Sequence, residues 1–244
     1  MKILFSPSEE KINSLNAYNI DELKIFFTNL NLDNLSIKSQ FRKSYIKEYI
    51  NHFDNLELIF GVKNTQNILN NFSNKLYKAI ILYQGVSYKE LDYNSLSNEE
   101  KTYIDDNVII FSNLFGPILA NDEIPFYKLK QGVKLNKINQ AKEYLKDTTN
   151  NLNEIIKEFA IDLRADIYKD YYQIQIPHAT FIFMKNNKQL SHSSKVYRGR
   201  VLRLLAQNNI TNIKELSNMI YTNFSVINIE NIENKTIFYI DIKD

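Results

Sequence analysis

The densest group of chemically capable side chains is Lys195-Val196-Tyr197-Arg198-Gly199-Arg200, followed by Arg203. Three of the chain's five arginines fall within six residues here. Guanidinium and ammonium groups donate charge-assisted hydrogen bonds to phosphate or carboxylate oxygens, so this is anion-binding chemistry. On a helix, Lys195 and Arg198 are three apart, share a face and can clamp one group. Arg198 and Arg203, five apart, diverge by roughly 140°. A helix start adds partial positive charge, and Gly199 permits close approach of backbone or ligand. The plain alternative is a solvated basic face whose arginine stems cover apolar surface.

Acid, base or nucleophile chemistry would draw on Ser6, Tyr88, Ser112, Asp166 and Lys195. No G-x-S-x-G elbow is present, but Ser112 ends an apolar run, and strand ends are where α/β proteins place functional groups. Turn or cap duty is the simpler role for each serine. The histidines are His52, His178 and His192, without H-x-x-x-H or H-E-x-x-H spacing, and there is no D-x-D-x-D-G loop. No metal and no cofactor is therefore expected. With no Cys and only 5 Gly, a disulfide scaffold, a cysteine nucleophile and a Gly-rich phosphate loop are excluded. Tyr83, Tyr88, Phe126, Tyr127, Tyr168, Tyr171, Tyr172 and Tyr197 lie near basic segments and could stack on bases. In a chain with 16 Tyr and 15 Phe, core packing is the commoner role.

Charge is unevenly placed. Between residues 124 and 142 there are five lysines (128, 130, 134, 137, 142) and no acid. Between 171 and 214 there are seven Lys or Arg, again with no acid. These runs total +12 and the remainder −10, which the net charge of +2 hides. Such polarisation can present a basic face to a polyanion. No apolar stretch is long enough to span a bilayer, and Ser6-Pro7-Ser8-Glu9-Glu10 after the short apolar start is no signal peptide. The expectation is a cytoplasmic, membrane-free protein, a monomer by preference. The abundance of Asn, Ile and Lys is read as coding bias.

The elements that would hold these groups follow from pattern. Residues 2–5 read as a buried strand ending at Pro7. Helices are expected from Asp21 to Leu30, from Ser39 through Phe53 and onward to Phe72, and from the capping box Ser97-Asn98-Glu99-Glu100 to Asn107. Residues 79–83 (Ala-Ile-Ile-Leu-Tyr) and 108–111 read as strands, and 112–136, with Gly116, Pro117, Pro125 and Gly132, as mostly loop. Then come a helix over 139–159, a strand over 180–184, a helix over 196–207, a short helix capped by Thr211, and a hairpin over 224–242. The fold class is α/β, of mixed α+β character. One domain over 1–244 is expected, with a central mixed sheet covered by helices.

Taken in order, these motifs resemble the YaaA family of bacterial peroxide-stress proteins. Lys2-Ile3-Leu4-Phe5-Ser6-Pro7 is similar to its opening strand and turn. Tyr83-Gln84-Gly85-Val86-Ser87-Tyr88 looks like its F-x-G-x-x-Y segment. Ser112 through Gly116 and Pro125 through Gly132 follow its S-G-L-Y-G and P-Y-R-L-E-M-G blocks. Leu163 through Tyr168 is similar to N-L-A-S-x-E-Y, and Lys195 through Gly199 to K-x-A-R-G, with Arg203 matching a later arginine. Four of the five glycines (85, 116, 132, 199) lie inside these blocks.

The resemblance implies a basic cleft, DNA as partner, duplex or structured, a role in limiting oxidative DNA damage, and a link to iron control. It also implies a helix-hairpin-helix-like element, with 114–118 around Gly116 as the candidate. The anion-binding set under this reading is Lys11, Gly116, Tyr127, Lys128, Lys130, Lys195, Arg198, Gly199 and Arg203. Departures exist: Glu9 replaces a family lysine, Val86 an acid, Lys128 an arginine and Gln131 a methionine. Ile167 removes a carboxylate, leaving Asp166 nearby. Three readings compete: a DNA-binding stress protein, an enzyme acting on a nucleotide or nucleobase in the same cleft, and direct iron binding, the last with the poorest ligand set.

Overall fold

The computed structural model describes residues 1–12, 19–63, 65–191 and 193–242. Among the described residues ten strands are formed: β1 (Lys2–Phe5), β2 (Leu76–Lys78), β3 (Val108–Ser112), β4 (Gly116–Leu119), β5 (Glu123–Pro125), β6 (Ala160–Leu163), β7 (His178–Lys185), β8 (Lys188–Gln189), β9 (Ser225–Ile232) and β10 (Lys235–Asp241). The helices are α1 (Ile20–Thr28), α2 (Gln40–Asn51), α3 (Leu56–Phe60), α4 (Gln66–Leu69), α5 (Ala79–Leu82), α6 (Val86–Leu91), α7 (Asn98–Asn107), α8 (Gln140–Ile155), α9 (Asp166–Lys169), α10 (Ser194–Gln207) and α11 (Ile213–Asn223).

Five strands run parallel in the order β3-β1-β6-β7-β10. Antiparallel β4 and β9 close the two edges, β8 pairs β7, and β2 with β5 forms a separate small ribbon. Every residue of β3 and β6 is buried, as expected of parallel strands covered on both faces. Helices flank this mostly parallel sheet: α10 packs on α6, α7 and α11, and α2 on α8. Among the described residues no helix is long and apolar enough to cross a membrane.

Local chemistry explains most boundaries. Ser97 and Glu100 form the capping box that starts α7, Ser39 caps α2, and Asn19, not Asp21, caps α1 with a box of its own. Two expectations are corrected and one is refined. Residues 79–82 form one helical turn, not a strand: Tyr83 N donates to Ala79 O at 3.2 Å. A four-residue apolar run has no periodicity to separate the two states. The 112–136 segment is mostly loop as expected, but it also holds β4 and β5: Gly116 turns the chain back so that β4 pairs β3, and β5 pairs β2. β6 was not anticipated. It is short and interrupted by Asp162, whose carboxylate is buried because Arg164 pairs with it at 2.8 and 3.0 Å.

Candidate functional site

The carboxyl ends of β3, β1 and β6 lie side by side, β1 in the middle. In open α/β sheets, ligands bind outside this edge. A cleft of about 410 Å³ opens beyond β1 and β6. Its lining comes from five places: Phe5 to Glu10 after β1, Gly85 to Tyr88 at the start of α6, Gln131, Leu163 with Ala165 and Tyr168 after β6, and Lys195 with Arg198 on α10.

Backbone geometry brings these segments together. Glu10 O accepts from Gln84 N at 2.8 Å and Leu82 O from Ile12 N at 2.9 Å, which zips the loop after β1 to the chain entering α6. Gly85 has φ +104°, and a Cβ there would lie 2.5 Å from Ser8 Oγ, so only glycine allows the approach. A Cβ on Gly199 would meet the Ser87 carbonyl oxygen at 2.2 Å, so α10 lies hard against α6. Ser6 ties three segments: its Oγ accepts from Ala165 N at 2.8 Å and its carbonyl from Tyr88 OH at 2.9 Å.

The cleft carries both signs of charge. Arg198 is half-buried and Lys195 exposed. Neither side chain forms a hydrogen bond or ion pair among the described residues. Burial lowers the Arg198 pKa, and the carboxylates of Asp166 and Asp162 oppose that from a distance. Glu9 and Glu10 also line the cleft. Glu9 Oε1 accepts from Gln131 N at 3.0 Å, and its Oε2 lies 3.7 Å from Lys128 Nζ. Glu10 pairs with Lys89 at 3.0 Å.

A buried polar cluster also involves Ser8 and Glu9. Lys11 Nζ donates to Ser8 O at 3.0 Å and sits 4.2 Å from the Tyr127 ring centroid and 5.1 Å from that of Tyr83. The Tyr127 hydroxyl is 2.8 Å from that of Tyr83 and 2.9 Å from Ser112 Oγ. Burial pushes the Lys11 ammonium down to about 7, the charge of Lys128 adds to this, and Glu9 opposes it. Ser112 Oγ also accepts from Phe115 N at 3.0 Å, which is turn duty.

Of the residues singled out from the sequence, Ser6, Tyr88, Lys195 and Arg198 line one cleft. Asp166 stands beside it, bonded to Lys169 at 2.6 Å, and Lys128 reaches it through Glu9. The others lie elsewhere. Arg203 Nη1 donates to the carbonyls of Leu91 and Asp92 at 2.7 and 3.2 Å, holding the end of α6. Arg200 pairs with Glu90 at 2.8 Å. The angular divergence along α10 separates these two from Arg198. Lys130 is exposed and packs over Gly61. Tyr127 and Lys11 are buried in the cluster, and Gly199 serves helix packing.

The proposed hairpin at 114–118 is corrected too. It joins strands, not helices, and Gly116 is buried with its α-carbon against the Tyr144 ring. Glu10 and Ser87 were missed as lining residues. Their signal was adjacency to a strand end and to Gly85.

No group of three or more His, Asp or Glu suited to a metal occurs among the described residues. His52 Nδ1 contacts Glu48 O at 2.8 Å and His178 Nδ1 contacts Ile176 O at 3.0 Å. His192 lies outside the described residues.

Comparison with known proteins gives this architecture a context. The chain is 39% identical to an uncharacterized protein of Campylobacter jejuni over 224 residues, covering 88% of this chain and 89% of that one. It is 30% identical to a UPF0246 protein of Malacoplasma penetrans, over 88% of this chain and 91% of the relative. A UPF0246 protein of Fusobacterium nucleatum is also 30% identical, over 88% and 89%. The sequence model described as Peroxide stress protein YaaA matches residues 1–229. With nearly the whole chain matched, the protein belongs to the peroxide stress protein YaaA family, and that membership implies a role in oxidative stress.

Proposed function

We propose that the protein binds nucleic-acid phosphates, those of DNA in the first place, through Lys195 and Arg198 in the cleft beyond β1 and β6. The observation that carries this reading is a pair of cations on one cleft lining whose side chains make no hydrogen bond or ion pair among the described residues. A guanidinium taken partly out of water with carboxylates only at a distance is costly, and an arriving phosphate offsets that cost with charge-assisted hydrogen bonds. Contacts of this kind go to the sugar–phosphate backbone and carry no sequence information directly. In an oxidative-stress protein, such binding would limit damage to the DNA it covers.

A gel-shift titration at about 50 and 200 mM salt tests the proposal, because each neutralised phosphate releases counterions. Replacing Lys195 and Arg198 together by Ala should lower the salt slope by about two, roughly one per lost contact. Arg203→Ala should leave the slope unchanged, since that side chain is spent on α6. Failure of the wild-type chain to bind duplex, nicked or junction DNA at low salt would sink the proposal.

A second reading, chemistry on a bound nucleotide or nucleobase, draws on the convergence of Ser6, Tyr88 and Lys195 in that cleft. It expects conversion of a nucleotide substrate that Ser6→Ala abolishes. Unchanged nucleotides after prolonged incubation with the wild-type chain would count against it.

A further inference from the structure

We infer that the cleft takes one nucleotide unit: a single phosphate on Lys195 and Arg198, with the attached base against Val86 and Tyr88 and its amino groups turned towards Glu9 and Glu10. This deepens the phosphate reading above and rests on it.

Size is the first argument. At about 410 Å³ the cleft falls within the range of small-molecule sites, about 300–1,000 Å³. A B-form duplex, whose major groove alone is about 12 Å wide, would meet Lys195 and Arg198 with its backbone phosphates at the cleft mouth but would not fill such a space. What fits is a free nucleotide or one protruding from a strand.

Charge is the second argument. Two cations without partners stand on α10, while two carboxylates line the same cleft from the loop after β1. A ligand carrying one phosphate satisfies the cations. Among the described residues, further phosphates find no third partnerless cation on the lining, whose other charged residues are Glu9 and Glu10. Carboxylates do accept hydrogen bonds from the amino groups of bases, as in acid recognition of cytosine N4. Ser6 adds a hydroxyl whose oxygen is already engaged by Ala165 N, which leaves its O–H to donate.

Apolar surface is the third argument. Val86, the first residue of α6, is 47% exposed although it lines the cleft. Tyr88 and Phe5 line it too, as a buried edge-on pair with ring centroids 5.3 Å apart, so Val86 supplies most of the apolar surface open to a ligand. An inorganic anion would leave this surface wet. A planar base covers it.

The test uses the full chain with AMP, CMP, ATP and inorganic phosphate as probes. Each is titrated directly by calorimetry and in competition with a labelled DNA duplex. AMP and CMP should bind at least tenfold tighter than ATP or phosphate, and Arg198→Ala, checked for an unchanged melting curve, should lose that binding. A 5′-phosphorylated dinucleotide is the second arm. Binding as tight as AMP assigns the unit to a strand end, and weaker binding assigns it to a free nucleotide. If DNA binds but the nucleotides do not, or ATP binds as tightly as AMP, the inference falls and phosphate binding stands. If neither DNA nor nucleotide binds, the phosphate reading falls with it.

Discussion

A lysine ammonium ordinarily keeps its proton to about pH 10.5, but Lys11 is enclosed by Tyr83 and Tyr127 and releases it near 7. The unfolded chain would hold that proton to the ordinary value. Between about pH 7 and 10.5 the unfolded state therefore binds more protons, and stability rises with pH through that window. The rise is at most about 1.4 kcal/mol per pH unit. Below the window both states are protonated and the cost of the buried charge is constant. Lys11→Met should flatten the profile, read by urea unfolding at about pH 7.5 and 9.5; equal slopes in both proteins would refute it. Nothing around position 11 announced this burial, since the rings responsible lie more than seventy residues away. Lys195 and Arg198, by contrast, were legible as a pair from helical spacing alone. The structure adds that they remain without partners while Arg200 and Arg203 do not.

At the scale of elements, the cleft depends on how closely α10 approaches α6. Ser87 Oγ donates to Lys195 O at 2.8 Å, and the Ser87 carbonyl occupies the space a side chain at 199 would need. Gly199→Ala must push the helices apart against backbone, an overpacking cost of about 1–3 kcal/mol. Thermal unfolding should show that loss, and DNA affinity should fall with it because α10 carries both cations. An unchanged melting temperature would mean that the helices separate freely. Elements with local signals were readable: the helix behind the Ser97 capping box, the β1 run before Pro7 and the terminal hairpin. The one-turn α5, the β3–β4 hairpin and the short β6 were not. Their states are set by partners distant in sequence, as when Ala79 N and Ile80 N donate to Asp122 O and Ala120 O.

Across the whole molecule, Arg42 shows how distant parts are held. It is buried on α2 and donates to Phe115 O at 2.6 Å, Ile37 O at 2.8 Å and Pro117 O at 3.0 Å. Burial lowers its pKa, and Tyr144 is the largest opposing influence, followed by Asp122 and Asp147. Arg42→Met would leave three carbonyls without donors, at a cost of about 3 kcal/mol or more. Denaturant unfolding should show it, and a loss below 1 kcal/mol would mean that water replaces the guanidinium. The sequence by itself determined the mixed α/β class, the caps of α2 and α7, the uneven distribution of charge and the family, because these depend on local pattern and ordered motifs. It also marked Ser6, Tyr88, Lys195 and Arg198. Only the tertiary structure decided that these four share a cleft with Glu9 and Glu10, and that Gly116 and Arg203 do not. The physical reason is the parallel sheet, whose crossovers bring strand ends from residues 5, 112 and 163 to one edge. Whether a cation there is spent or left available depends on which carboxylates and carbonyls the fold places beside it.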